Sequence, residues 1–266
     1  MKFPSFLNSG ARGVSPRVSL LEPLLDPLLG TLLGAVVIGS LASCDGNGPK
    51  VIQGSGPVVR EQRTRRPIER IHVEGYVDLS IEILPSEKGS LPESNGPDTL
   101  IFLEGASDLL GWVETELEGD ILRIRFRDGV RLDPLPSIEV QTGHLVELST
   151  LGSGDVHLRH VQPLATRGAA LALKVTGSGD IHADGALHAL EIQHIGSGDL
   201  DLRKLISGTV TYSGLGSGDA ALHVEETLTS SLNGSGDLTL YGPVPEERVT
   251  SSVLGSCELI RIRVPR

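Results

Sequence analysis

Leu151–Leu158, LGSGDVHL, has the composition of a flexible linker, yet the chain repeats it. TGSGDIHA starts at Thr176, IGSGDLDL at Ile195, LGSGDAAL at Leu215 and NGSGDLTL at Asn233, and a degenerate copy, LGSCELIR, starts at Leu254. The first glycines, Gly152, Gly177, Gly196, Gly216, Gly234 and Gly255, are spaced by 25, 19, 20, 18 and 21 residues. Self-similarity at a period near 20 is the mark of a stacked-repeat architecture.

Aligning the copies on the aspartate shows what each repeat contains. The residue after it is Val156, Ile181, Leu200, Ala220, Leu238 or Leu259, apolar every time. Six residues before the first glycine stand Val146, Leu171, Leu190, Val210, Leu228 and Val249, again always apolar. The next column, Glu147, Ala172, Glu191, Thr211, Thr229 and Thr250, is mostly polar and therefore faces outward. Each repeat reads as a strand, a tight corner and a second strand. Strands that recur with the same corner stack naturally as coils of a parallel β-helix, each closing its backbone hydrogen bonds on the coils above and below. An antiparallel sandwich is the alternative, but it reverses alternate strands and gives no reason for identical corners.

The corner residues are Gly152, Gly154 and Asp155; Gly177, Gly179 and Asp180; Gly196, Gly198 and Asp199; Gly216, Gly218 and Asp219; Gly234, Gly236 and Asp237. Glycine permits the positive φ that a bend between faces requires, and the Ser and Asp side chains are expected to bond backbone N–H groups within the bend.

The rest of the chain reads differently. Residues 1–43 are expected to be a lipoprotein signal peptide: Lys2, Arg12 and Arg17 precede an uncharged apolar run, Leu28–Leu41, that is too short to span a bilayer as a mature helix. The run ends in LASC, a lipobox-like sequence that makes Cys44 the expected site of lipidation and the new N-terminus; an ordinary signal peptide with a chance cysteine is the plainer reading. Residues 44–67, rich in Gly, Pro and charge, read as a flexible linker with one short strand at Val58 and Val59. The β-helix domain is expected over 68–266. Within it IERIHVEGYVDLSIEI, TLIFLEG and DILRIRFRDGV alternate apolar and polar residues as strands do, with a turn at 118–120. Leu109–Leu117 is the single helical candidate and reads better as strand.

In that register the chain resembles the head GIN domain family of putative autotransporter adhesins. VEGYVDLSIEI at 73–83, LEGASDLLGWVETELEGDILRIRF at 103–126, IEVQTGHLVELSTLGSGDV at 138–156 and the serial GSGD corners carry the resemblance, which covers roughly residues 55–266. It implies an all-β fold, a right-handed parallel β-helix built from roughly 20-residue coils with GSGD corners, on a secreted or lipid-anchored bacterial envelope protein. The family has no established catalytic residues, so none is carried over.

Composition excludes some functions and weakens others. A net charge of −11 argues against a nucleic-acid partner, although Arg60, Arg63, Arg65, Arg66 and Arg70 form a local basic run. Aromatics are 3% of the chain, and from His144 onward only Tyr212 and Tyr241 remain, which leaves no platform for the sugar rings that β-helical glycan enzymes hold. Five equivalent corner serines are not one activated nucleophile, and the corners lack the Lys-Ser/Thr of a phosphate loop. A ladder of like charges at coil spacing needs an offset, supplied either by calcium or by backbone N–H groups, the latter being the simpler reading. His157, His182 and Asp201, in the column two residues past the aspartates, could meet as a zinc-like triad, against the plain reading of stacked exposed polar residues. No cofactor or metal is assigned. With Cys44 lipidated, Cys257 is left without a disulfide partner. The expected function is a lipid-anchored, non-catalytic envelope protein offering a binding or adhesion surface to an envelope protein or glycan. A polysaccharide-acting envelope enzyme and a structural module with calcium-stabilised corners, pairing end to end as a homo-oligomer, are the alternatives.

Overall fold

The computed structural model describes residues 48–84, 98–162 and 170–262. Stacked parallel coils of about 21 residues build a β-solenoid of about 5 turns. The expected leader, residues 1–43, and Cys44 lie outside the described residues.

The stretch read as a linker is not free of structure. It contains β1 (Lys50–Gln53) and β2 (Val58–Arg65), so the short strand expected at Val58 and Val59 runs on for six more residues. Both are held by distant partners, which local composition cannot reveal. β1 pairs parallel with β8 (Val130–Asp133), and β2 pairs antiparallel with β5 (Thr99–Ala106). Part of the basic run belongs to this structure. Arg63 Nη1 donates to Val113 O at 2.9 Å and Thr115 Oγ1 at 3.1 Å, and its Nη2 to Leu110 O at 3.2 Å. Arg60 lies over the Phe102 ring and reaches Glu139 at 3.0 Å.

The first coil is formed by β3 (Arg70–Gly75) and β4 (Leu79–Ile83), on either side of a corner at 75–78. The chain then leaves the stack to build its base. A one-turn 3-10 helix at Leu110–Trp112 precedes β6 (Val113–Glu118) and β7 (Ile121–Phe126), and β9 (Ser137–Thr142) follows β8. The segment 109–117 is thus part turn and part strand. β7 stacks parallel beneath β3 and β9 beneath β4; antiparallel β6 and β5 then close the underside, with β2 outermost. The two outer strands, VETELE and VVREQRTR, are charged, which discourages pairing with another chain.

Above the first coil β10 (Glu147–Gly152) and β11 (Val156–Val161) resume the stack, Glu147 opposite Arg70 and Val156 opposite Leu79. β12 (Ala170–Gly177), β13 (Ile181–Gly196), β14 (Leu200–Gly216) and β15 (Ala220–Gly234) continue it, the last three each running from one coil into the next. β16 (Leu238–Tyr241), β17 (Val249–Gly255) and β18 (Leu259–Ile262) form the final coil. The alternation read from the repeats is the one that packs. Leu79, Val156, Ile181, Leu200, Ala220 and Leu238 form one interior column, none more than 2% exposed. Each large aliphatic buried in this way is worth about 2 kcal/mol. Aromatic packing is concentrated at the base, where the Tyr76 and Phe126 rings lie 4.9 Å apart and Tyr76 Oη donates to Val130 O at 2.7 Å.

Candidate functional site

The corners occupy a single ridge of the solenoid. Gly75, Gly152, Gly177, Gly196, Gly216, Gly234 and Gly255 sit in one register column. The corner at 75–78, Gly-Tyr-Val-Asp, is therefore a seventh copy, beyond the six that the repeated GSGD pattern picks out. Its surviving signal is a glycine, two residues, an aspartate and an apolar residue, in EGYVDLS.

Both glycines of a corner leave no room for a side chain, and the first is required for a second reason as well. The first carries positive φ, between +136° and +147° in the five interior corners. The second does not; a Cβ at Gly179, Gly198, Gly218 or Gly236 would run into the carbonyl oxygen of the second glycine one coil below, just as one at Gly177, Gly196, Gly216 or Gly234 would meet that of the first. Coil spacing therefore excludes a side chain there. The end corners bend differently, with φ +92° at Gly75 and +102° at Gly255, and these are the two corners that carry a side chain at the third position, Val77 and Cys257. Cys257 is buried and its thiol donates to Leu254 O at 3.3 Å.

The aspartates bond between coils, not within their own bend as expected. Asp155 N donates to Asp78 Oδ1 at 3.0 Å, Asp180 N to Asp155 Oδ1 at 2.9 Å, Asp199 N to Asp180 Oδ1 at 2.8 Å and Asp219 N to Asp199 Oδ1 at 2.9 Å. Asp237 N and Glu258 N continue the series, each at 2.8 Å. Every interior aspartate thus accepts one N–H and donates another, and the backbone bonds between charged rungs supply the offset that like-charge stacking demands. Corner serines Ser153, Ser178, Ser197, Ser217 and Ser235 are exposed, and their backbone N–H groups bond the first glycine of the coil below at 2.9 Å.

His157, His182 and Asp201 do come into register, with the two imidazoles 5.0 Å apart. Asp201 is already engaged: Arg203 Nε and Nη2 donate to its two oxygens at 2.8 and 2.6 Å, and these bonds draw its pKa down to about 2. Among the described residues no three His, Cys, Asp or Glu side chains gather as metal ligands.

One polar group in the core was not anticipated. His194 is 2% exposed, and its Nδ1 lies 3.1 Å from Oη of Tyr212, which is 3% exposed. Tyr212 takes the space above Gly214, where an added Cβ would come within 2.7 Å of Oη. Burial pushes the imidazole pKa down and the phenol pKa up, so both groups are neutral near pH 7. The only signal was a His and a Gly in one mostly aliphatic column, Val175, His194, Gly214 and Leu232, and a Tyr in the column two residues before it.

The model of the family described as putative auto-transporter adhesin, head GIN domain, matches residues 92–243, more than half of the chain. The chain belongs to that family. Head GIN membership agrees with solved structures of the same fold. A crystal structure described as a putative adhesin from Bacteroides fragilis is 16% identical with a TM-score of 0.60, covering 79% of this chain and 100% of that one. Another, described as a putative lipid binding protein from Parabacteroides distasonis, is 17% identical with a TM-score of 0.50, covering 80% of this chain and 100% of that one. No curated protein matches the sequence.

Proposed function

We propose that the chain is a non-catalytic, lipid-anchored protein of the bacterial cell envelope whose solenoid serves as an adhesion or binding surface. Membership of the head GIN adhesin family carries this reading. The geometry supports it: the outward columns are regular, the interior is filled by aliphatic side chains, and a cavity of about 10 Å³ beneath Leu215 and Asn233 has room for no more than one water-sized group. Of the two coil aromatics Tyr212 is buried, which leaves half-buried Tyr241 by itself and no paired platform for a sugar. Anchoring rests on Cys44 behind its apolar run. Cys44→Ser should move the protein from the membrane fraction to the soluble one, and inhibition of lipoprotein signal peptidase should accumulate the precursor. Normal processing under the inhibitor contradicts anchoring. The solenoid without its leader should be retained by intact envelopes; its complete recovery in the wash contradicts the adhesion reading.

A further inference from the structure

One outward column is not hydrophilic. The residue before each corner is Glu74, Leu151, Thr176, Ile195, Leu215, Asn233 or Leu254, and the pairing register sets these directly above one another. Leu151, Ile195, Leu215 and Leu254 are 58, 44, 50 and 62% exposed. At about 4.8 Å per coil, the five steps from Leu151 to Leu254 span about 24 Å. Large aliphatics aligned in one solvent-facing column mark an interaction surface.

What flanks the stripe indicates what covers it. On one side the column two residues earlier has Ser213, Ser231 and Ser252 in its upper coils and no charge there. On the other side, four residues on around the corner, runs the aspartate ladder. Each rung uses Oδ1 for the next backbone N–H, and among the described residues no salt bridge reaches Asp155, Asp180, Asp199, Asp219 or Asp237. Midway along the stripe, Leu215 and Asn233 border the small cavity that His194 also lines, and buried His194 Nε2 has no partner. The surface is therefore apolar along its centre and anionic along one margin.

We propose that this stripe docks a basic amphipathic α-helix of a partner protein. The inference rests on the binding-surface reading and names the chemistry of the partner. A helix laid along the solenoid axis presents a side chain to the stripe every 5.4 Å or so, close to the coil spacing of about 4.8 Å, whereas an extended strand presents one only every 6.8 Å or so. About 16 residues of helix cover the 24 Å or so between Leu151 and Leu254. Lys or Arg on the flank facing the corner then meets the carboxylate ladder, and an acidic flank is repelled by it.

The test is a fluorescence-anisotropy titration of the purified chain with three labelled peptides of about 18 residues, long enough to cover the stripe. One is a Leu/Lys amphipathic helix, one a Leu/Glu helix of the same pattern, and one a Leu/Lys peptide with its leucines scattered off a single face. The first is expected to bind, about tenfold more weakly at about 0.5 M than at about 0.05 M salt, and the other two are not. Ile195→Ser with Leu215→Ser should weaken binding at least about tenfold, as should Leu254→Ser alone in the final coil, while Ile206→Ser, exposed but off the stripe, should leave it unchanged. Melting curves establish that each variant is folded. Equal binding of the scattered peptide, wild-type binding by the stripe variants, or no peptide binding at all overturns the proposal. Envelope retention that persists in the stripe variants, without peptide binding, removes the stripe while leaving the adhesion reading in place.

Discussion

At Asp199 a single residue holds two neighbouring coils, its N–H bonded to Asp180 below and its Oδ1 accepting from Asp219 above. Asp199→Asn relieves a like-charge repulsion of roughly 0.8 kcal/mol per neighbour at ~5 Å in water but turns a charge-assisted bond into a weaker neutral one; the two effects oppose, so stability should change by less than about 1 kcal/mol. Asp199→Ala leaves the Asp219 N–H without its partner and should cost about 1–2 kcal/mol. Gly198→Val should cost about 3 kcal/mol or more, because its side chain meets the Gly179 carbonyl and not because of φ. Urea denaturation with and without chelator checks the series. A chelator-sensitive wild type, with Asn as damaging as Ala, would mean that a metal holds the ladder. His194 gives a pH dependence. Burial holds its folded pKa below the unfolded value of about 6.5, so the unfolded chain takes up a proton that the folded state refuses. Its contribution is complete above that value and is lost as pH falls toward the folded pKa. The melting temperature should fall as the pH drops below about 6.5, and His194→Gln, which keeps a partner for Tyr212, should flatten part of that slope. His144, pushed down by the same cause, supplies a further part. An unchanged slope in the variant contradicts the assignment.

A coil is an element that contacts mainly its neighbours, so stability is close to a sum of coil and interface contributions. Removing Gly216–Asn233 joins Leu215 to Gly234 and brings equivalent corners together, because both ends of the excised segment lie in one register column. The shortened chain should fold, with a strand-rich circular dichroism spectrum and a lower melting temperature. Removing half that length places corner residues opposite strand residues and should abolish cooperative melting. A shortened protein that is disordered, or a half-coil deletion that melts normally, contradicts coil-by-coil stacking. The base behaves otherwise, since β2 is held by β5 and by Arg63 reaching Leu110, Val113 and Thr115. None of these partners is adjacent in sequence, which is why the stretch 44–67 reads as a linker when only its composition is weighed.

Across the molecule, legibility followed repetition. Six corners and their inward columns were readable because each copy tests the others, and Val156, Ile181 and Leu200 stack as their alignment implies. The corner at 75–78 escapes the pattern because Tyr76 and Val77 stand where the other copies have serine and the second glycine, and the excursion that builds the base intervenes before the stack resumes at Glu147. That excursion occurs once, so nothing in the chain checks its pairing. The bonding of the aspartates between coils was hidden for another reason: the alignment aligns residues, but it does not say which coil supplies the N–H. The apolar stripe lies in the same alignment but does not stand out there, since Thr176 and Asn233 interrupt it. The interior columns, the aspartate ladder and the apolar stripe all require parallel coils in this one register, and disulfide trapping tests that directly. In a background of Cys44→Ser and Cys257→Ser, cysteines at Ser213 and Ser231 face each other on adjacent coils, at a strand spacing of about 4.8 Å that a disulfide can bridge. Cysteines at Gln193 and Ser231 are two coils apart, about 9.6 Å, beyond its reach. Oxidation should close the first pair within the monomer and leave the second reduced; closure of the second pair, or failure of the first in folded protein, would contradict the stack.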